Sequence, residues 1–160
     1  MDVEYINPFV GAVQNVFRTM LGLEAKFGKP YLKQEETACA DVSAVIGFSG
    51  DAAGSVVISF PKLVAARTAS TFAGMDLKED HPDFADALGE LANMVAGNAK
   101  KDFEGVDISI SLPNVIIGEN HRVSRSNAVP RLVIPCESSL GPFYVEVGMK
   151  IEKAAAVAAG

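Results

Sequence analysis

The run Asp86-Ala87-Leu88-Gly89-Glu90-Leu91-Ala92-Asn93-Met94-Val95-Ala96-Gly97-Asn98-Ala99-Lys100 sets the class of the fold. Phe84, Leu88, Leu91, Val95 and Ala99 recur every three or four residues, the period of a helix buried along one stripe. At about 100° per residue, Asp86, Glu90, Asn93 and Gly97 fall within roughly 60° of one another on the other side. The spacing predicts a helix from Asp80-His81-Pro82 to about Lys101, with Lys100 and Lys101 complementing the dipole at its carboxyl end.

Everything after this helix reads as strand: Asp107 to Leu112, Val115 to Gly118, Arg131 to Cys136 and Pro142 to Ile151. In the last, Phe143, Val145, Val147, Met149 and Ile151 alternate with Tyr144, Glu146, Gly148 and Lys150, the two-residue period of a strand. Residues 137–141 make the turn into it.

The first half repeats the plan. Asn7-Pro8 gives an N-cap and a first-turn proline, and Phe9, Val13, Val16, Phe17 and Met20 follow at helical spacing until Gly22. Residues 30–38 read as extended. Val42 to Phe48 and Gly54 to Phe60 are two strands of a hairpin joined by residues 49–53. A shorter helix opens at Pro61 and stops at Gly74. The expected fold is α+β, with two long helices and a shorter one on a mostly antiparallel sheet and a pseudo-two-fold internal repeat. One domain covers residues 1–153, and 154–160 is a low-complexity tail.

With 160 residues, nearly half of them hydrophobic, the chain can bury an ordinary core. It holds no apolar run of membrane-spanning length and its first residues lack a secretory signal, so a soluble, cytoplasmic protein is expected. A net charge of −6 opposes nonspecific nucleic-acid binding. Cys39 and Cys136 have no CxxC spacing and read as reduced, packed thiols.

Several apparent motifs have plain explanations. The glycine-rich stretch from Gly47 to Gly54 leads into a strand without a Lys-Ser or Lys-Thr, so it reads as a hairpin turn rather than a phosphate loop. His81 and His121 lack partners at metal spacing and read as surface residues. Two carboxylates on a helix, Asp86 and Glu90, could suggest glycosidase chemistry, but a convex helix in a chain without Trp offers no sugar cleft.

The polar face of the long helix is the candidate site. Gly89, Ala96 and Gly97 flank Glu90 and Asn93 where a plain surface helix would carry Lys, Glu or Gln. Glycine and asparagine cost up to about 1 kcal/mol each inside a helix, so the bare face suits the close approach of another surface. A carboxamide can accept a hydrogen bond from water while donating to another oxygen, and so aim a water without titrating. A carboxylate can take a partner's cation and fix its orientation.

These residues resemble the CheX family, within the CheC/CheX/FliY group of aspartyl-phosphate phosphatases of bacterial chemotaxis. The resemblance spans roughly Tyr5 to Ile151. It rests on Ile6-Asn7-Pro8-Phe9, the hairpin from Gly47 to Ile58, the run from Glu90 to Lys100, and Ser111-Leu112-Pro113-Asn114-Val115-Ile116-Ile117-Gly118.

The resemblance implies that the phosphorylated form of a CheY-like receiver is the partner and substrate. Asn93 would enter the receiver's site and orient the attacking water, and Glu90 would pair with its lysine. Asp86 would have a less defined partner-binding role, alongside Gly89, Ala96 and Gly97. Mg2+ would come with the receiver, leaving this chain with no cofactor or metal site of its own. The resemblance also implies a homodimer. The first helix has Ala12 and Asn15 where a second Glu and Asn would fall, so one site per chain is expected. Pro113 lies nearer to Asn93 than the proline often found in the group and is given no catalytic role. A receiver-binding module without catalysis, and a small-molecule domain with a deep apolar pocket, are the rival readings.

Overall fold

The computed structural model describes residues 6–33, 40–119, 121 and 130–151; Cys39, the expected extension beyond Lys33 and the 154–160 tail lie outside these. Three helices cover one face of an eight-stranded antiparallel sheet. Helix α1 (Ile6–Val16) continues as a π-helical turn over Phe17–Leu21 and ends at Gly22, whose φ of 67° suits the left-handed position after a helix. Asn7 lies inside the first turn rather than capping it. Helix α2 (Lys62–Ala73) starts after Pro61 and stops at Gly74, φ 71°. Helix α3 (Phe84–Lys101) is the long one, preceded by turns in which the Nδ1 of His81 accepts the Asp83 N–H at 3.0 Å.

The strands are β1 (Lys26–Phe27), β2 (Tyr31–Leu32), β3 (Val42–Gly50), β4 (Ala52–Phe60), β5 (Ile108–Ile110), β6 (Asn114–Ile117), β7 (Leu132–Ser138) and β8 (Gly141–Ile151). The β3–β4 pairing ends at Phe48↔Gly54, leaving the five-residue connection 49–53 that was expected; the strands run on past it only because Ser49 and Gly50 pair with β5 and Ala52 and Ala53 with β8. Residues 26–27 add a strand that sequence reading missed, being too short to show a period.

The expected repeat is present in the topology. Sheet order is β1-β7-β8-β4-β3-β5, with β2 also on β7 and β6 also on β3. Taking α1 through β4 as one half and α3 through β8 as the other, exchange of halves reverses this order onto itself. The central pair is β4–β8, and each half gives its edge strands to the other.

Both edges are broken in the same way. Ser111 donates its N–H to the Gly47 carbonyl at 2.9 Å while Asn114 pairs with Val45, so Leu112 and Pro113 together lie opposite Ile46. On the other edge Gly28 donates to the Pro135 carbonyl at 2.8 Å while Tyr31 pairs with Val133, so Lys29 and Pro30 lie opposite Ile134. Two residues against one is a β-bulge, and an edge bulge is one of the few places a sheet tolerates proline.

The core lies between helices and sheet. Phe9 meets Phe48 with ring centroids 5.8 Å apart, and Phe17 stacks on Phe143 at 4.9 Å, fixing α1 to both halves of the sheet. Such pairs contribute about 0.5–1.5 kcal/mol beyond burial. On the sheet's other face, Glu146 of β8 is only 5% exposed. Its carboxylate is held by Lys33 Nζ at 2.5 Å and Arg131 Nε at 3.6 Å, which offsets the loss of hydration.

Candidate active site

Helix α3 packs Phe84, Ala87, Leu88, Leu91, Ala92, Val95 and Ala99 inward, as its periodicity predicts. The opposite side carries Asp86 and Glu90, both exposed, with Asn93 and Gly97 half-buried. Asn93 follows Glu90 by three residues and precedes Gly97 by four, so the three form one ridge. Among the described residues, neither the Glu90 carboxylate nor the Asn93 carboxamide has a hydrogen-bond or ion-pair partner. At Gly97 an added Cβ would meet nothing within 4 Å. Groups that could bind each other or solvent stand ready for an outside partner.

Two expectations about this face need correction. Gly89 is buried, and a Cβ there would lie 3.1 Å from Cγ of Pro113 and 3.5 Å from Cγ2 of Val115. Its smallness admits the chain's own edge strand, not another protein. Ala96 is 0% exposed and belongs to the core. Around the helix axis both lie far enough from the Glu90–Asn93–Gly97 line to be covered by neighbouring elements. The open surface is narrower than the sequence suggested.

Pro113, given no catalytic role from sequence, packs on α3 at Gly89, the residue before Glu90. The signal was available: a Leu-Pro pair inside a strand pattern marks an edge or a bulge. Ser111 completes the arrangement, its Oγ accepting the Gly47 N–H at 2.8 Å and donating to the Leu112 carbonyl at 3.0 Å. The hydroxyl thus satisfies a backbone donor that the bulge would otherwise leave unpaired.

The first helix has no equivalent of the ridge. Its sequence, INPFVGAVQNV, contains no acid. Ala12 is buried, and Asn15 donates to the Asn98 Oδ1 at 2.8 Å, while Asn98 donates to the Met94 carbonyl at 3.2 Å. The asparagine that might have acted is used to tie α1 to α3.

Elsewhere, His121 is half-buried rather than a plain surface residue: its ring nitrogens lie 2.6 Å from the Gly118 carbonyl and 2.7 Å from Ser43 Oγ. Ser43 and Ser59, both buried, share a hydrogen bond of 2.8 Å. Burial pushes the Cys136 thiol up to about 12, so it stays protonated. A groove of about 1200 Å³ beside α2, lined by Leu63, Ala66, Ser70 and Leu140, is open to solvent and shares no residue with the α3 ridge. Among the described residues there is no cluster of three or more His, Cys, Asp or Glu able to hold a metal, and no helix long and apolar enough to cross a membrane.

Residues 42–137 match the family model of chemotaxis phosphatase CheX. The chain belongs to the CheX family. The CheY-P phosphatase CheX of Thermotoga maritima is 30% identical over 137 residues, covering 84% of this chain and 88% of that one. A chemotaxis protein CheX from Desulfovibrio desulfuricans superposes with a TM-score of 0.84 at 35% identity, covering 92% of this chain and 99% of its own. A chain of the CheX–CheY–BeF3–Mg2+ complex from Borrelia burgdorferi superposes with a TM-score of 0.78 at 27% identity, with 93% and 99% covered. Membership in CheX brings the enzyme class with it, that of a phosphatase.

Proposed function

We propose that this CheX protein hydrolyses the aspartyl phosphate of a CheY-like receiver, with Asn93 and Glu90 as the working pair. The observation that carries the reading is the unpartnered carboxylate and carboxamide, one helical turn apart on a ridge left open at Gly97. Relatives that act on CheY-P or are found bound to CheY supply the substrate class.

In this reading the ridge of α3 enters the receiver's cleft. The Asn93 Oδ1 accepts a hydrogen bond from a water while its Nδ2 donates to the phosphoryl group, holding the water in line with phosphorus. Glu90 pairs with a receiver lysine and sets the angle of entry. Asp86, one turn earlier, lies on the approach side and adds to the acidic rim. Phosphoryl transfer needs positioning and charge stabilisation more than a protein nucleophile. The Mg2+ that neutralises the phosphoryl oxygens would be the receiver's. We also carry the homodimer expected from the resemblance as part of this reading, to be checked by sedimentation.

The test follows loss of phosphate from a phosphorylated receiver with wild-type protein and with Asn93→Ala. Wild-type protein should accelerate the loss. The variant should remove the acceleration, still bind the receiver, and melt no lower than wild type. A stable complex with no acceleration by either protein would establish the sequestering module instead.

A further inference from the structure

Leu112 is 85% exposed, the most exposed large hydrophobic side chain among the described residues. A single exposed leucine is ordinary by itself. Its position is not. Leu112 is the first residue of the edge bulge whose second residue, Pro113, packs on Gly89, and Gly89 immediately precedes Glu90. A bulge breaks strand alternation and re-aims a side chain.

The backbone carrying it is fixed on all sides. Ser111 is bonded twice to Gly47, Pro113 rests on α3, and Asn114 pairs with Val45. Little conformational freedom remains to be lost on binding, which is what makes an apolar anchor efficient.

The internal repeat offers a control within the same molecule. The twin bulge holds Lys29 at the place of Leu112 and Pro30 at the place of Pro113. That half has a helix with no acid and no open ridge. Where the ridge is absent the bulge carries a solvated cation; where the ridge is present it carries an exposed apolar group.

We infer that Leu112 is an apolar docking residue for the receiver, packing on the receiver surface that flanks its phosphoacceptor cleft while Asn93 and Glu90 enter. This rests on the receiver phosphatase reading above. The Leu112–Pro113 bulge is fastened to α3 through the Pro113–Gly89 contact, one residue before Glu90. Pro113 sets the distance between them.

The experiment measures Kd for a BeF3-activated CheY-like receiver, and kcat and KM on the phosphorylated receiver. The proteins are wild type, Leu112→Ser, Leu112→Met and Asn93→Ala. Leu112→Ser should raise Kd and KM about tenfold, with the loss falling on affinity rather than kcat. Leu112→Met should restore most of the affinity, and neither variant should lower Tm. An unchanged Kd for Leu112→Ser, beside a wild-type protein that Asn93→Ala inactivates, overturns this inference and leaves the phosphatase reading intact. Weaker self-association with unchanged receiver affinity overturns it in favour of a second copy of the chain. If wild-type protein neither binds nor dephosphorylates receivers, both readings fall.

Discussion

Pro113 stands over Gly89 with its Cγ 3.1 Å from where a Cβ would be, so the edge strand and the long helix meet closely at a residue without a side chain. This contact limits what position 89 can become. Alanine would relieve about 1 kcal/mol of helix penalty while crowding the proline, and the two effects should nearly cancel. Gly89→Leu should cost about 1–3 kcal/mol, because neither the bulge nor the helix can withdraw without unpacking. Urea unfolding of both variants measures the difference.

Gly97 has no such neighbour, and its φ is not among the positive values. Gly97→Ala should therefore stabilise the protein by about 0.5–1 kcal/mol. Gly97→Trp should leave the melting temperature nearly unchanged but block receiver binding, since it fills the space beside Asn93. Thermal melts combined with receiver titration separate the two effects, and full activity in Gly97→Trp would show that the ridge does not enter a cleft.

Glu90 is exposed, so its replacement tests the partner rather than the fold. Glu90→Lys should raise KM by about tenfold or more by setting two cations against each other, while Glu90→Gln should do so less. Raising salt should weaken wild-type association and leave the Glu90→Gln protein less sensitive. Tighter binding by Glu90→Lys would end the proposed pairing.

Glu146 makes the opposite case. Buried on the sheet's outer face between Lys33 and Arg131, it should destabilise the protein by about 3–5 kcal/mol when replaced by alanine, because its cations stay behind. Denaturant midpoints would show the loss.

The elements themselves were largely legible because their periods are strong. The stripe from Phe84 to Ala99 and the alternation from Phe143 to Met149 each repeat a rule several times, and the structure keeps both. Short elements such as Lys26–Phe27 carry too few residues for a period to form. The burial of Glu146 was not legible, because alternation names the face of a sheet, not whether that face is wet. Gly89 and Ala96 misled for a related reason: a helical wheel gives angles around an axis, while the neighbour covering each angle comes from far along the chain. Glu90 needed only the angle and is exposed, with Asn93 and Gly97 half-buried beside it on the same side of the helix. The Leu112-Pro113 pair could mark an edge or a bulge, but that it packs on Gly89 of α3 depends on strand pairing, which spacing alone does not hold.

The trading of outer strands between halves has a consequence for how the molecule comes together. Neither half owns a finished sheet, so a break in the connection around Met75–Asp83 would yield two fragments that are each incomplete until they meet. Assembly accordingly depends on long-range pairing, and Pro113 reaches Gly89 of α3 only when the second half's own edge has found a berth on the first.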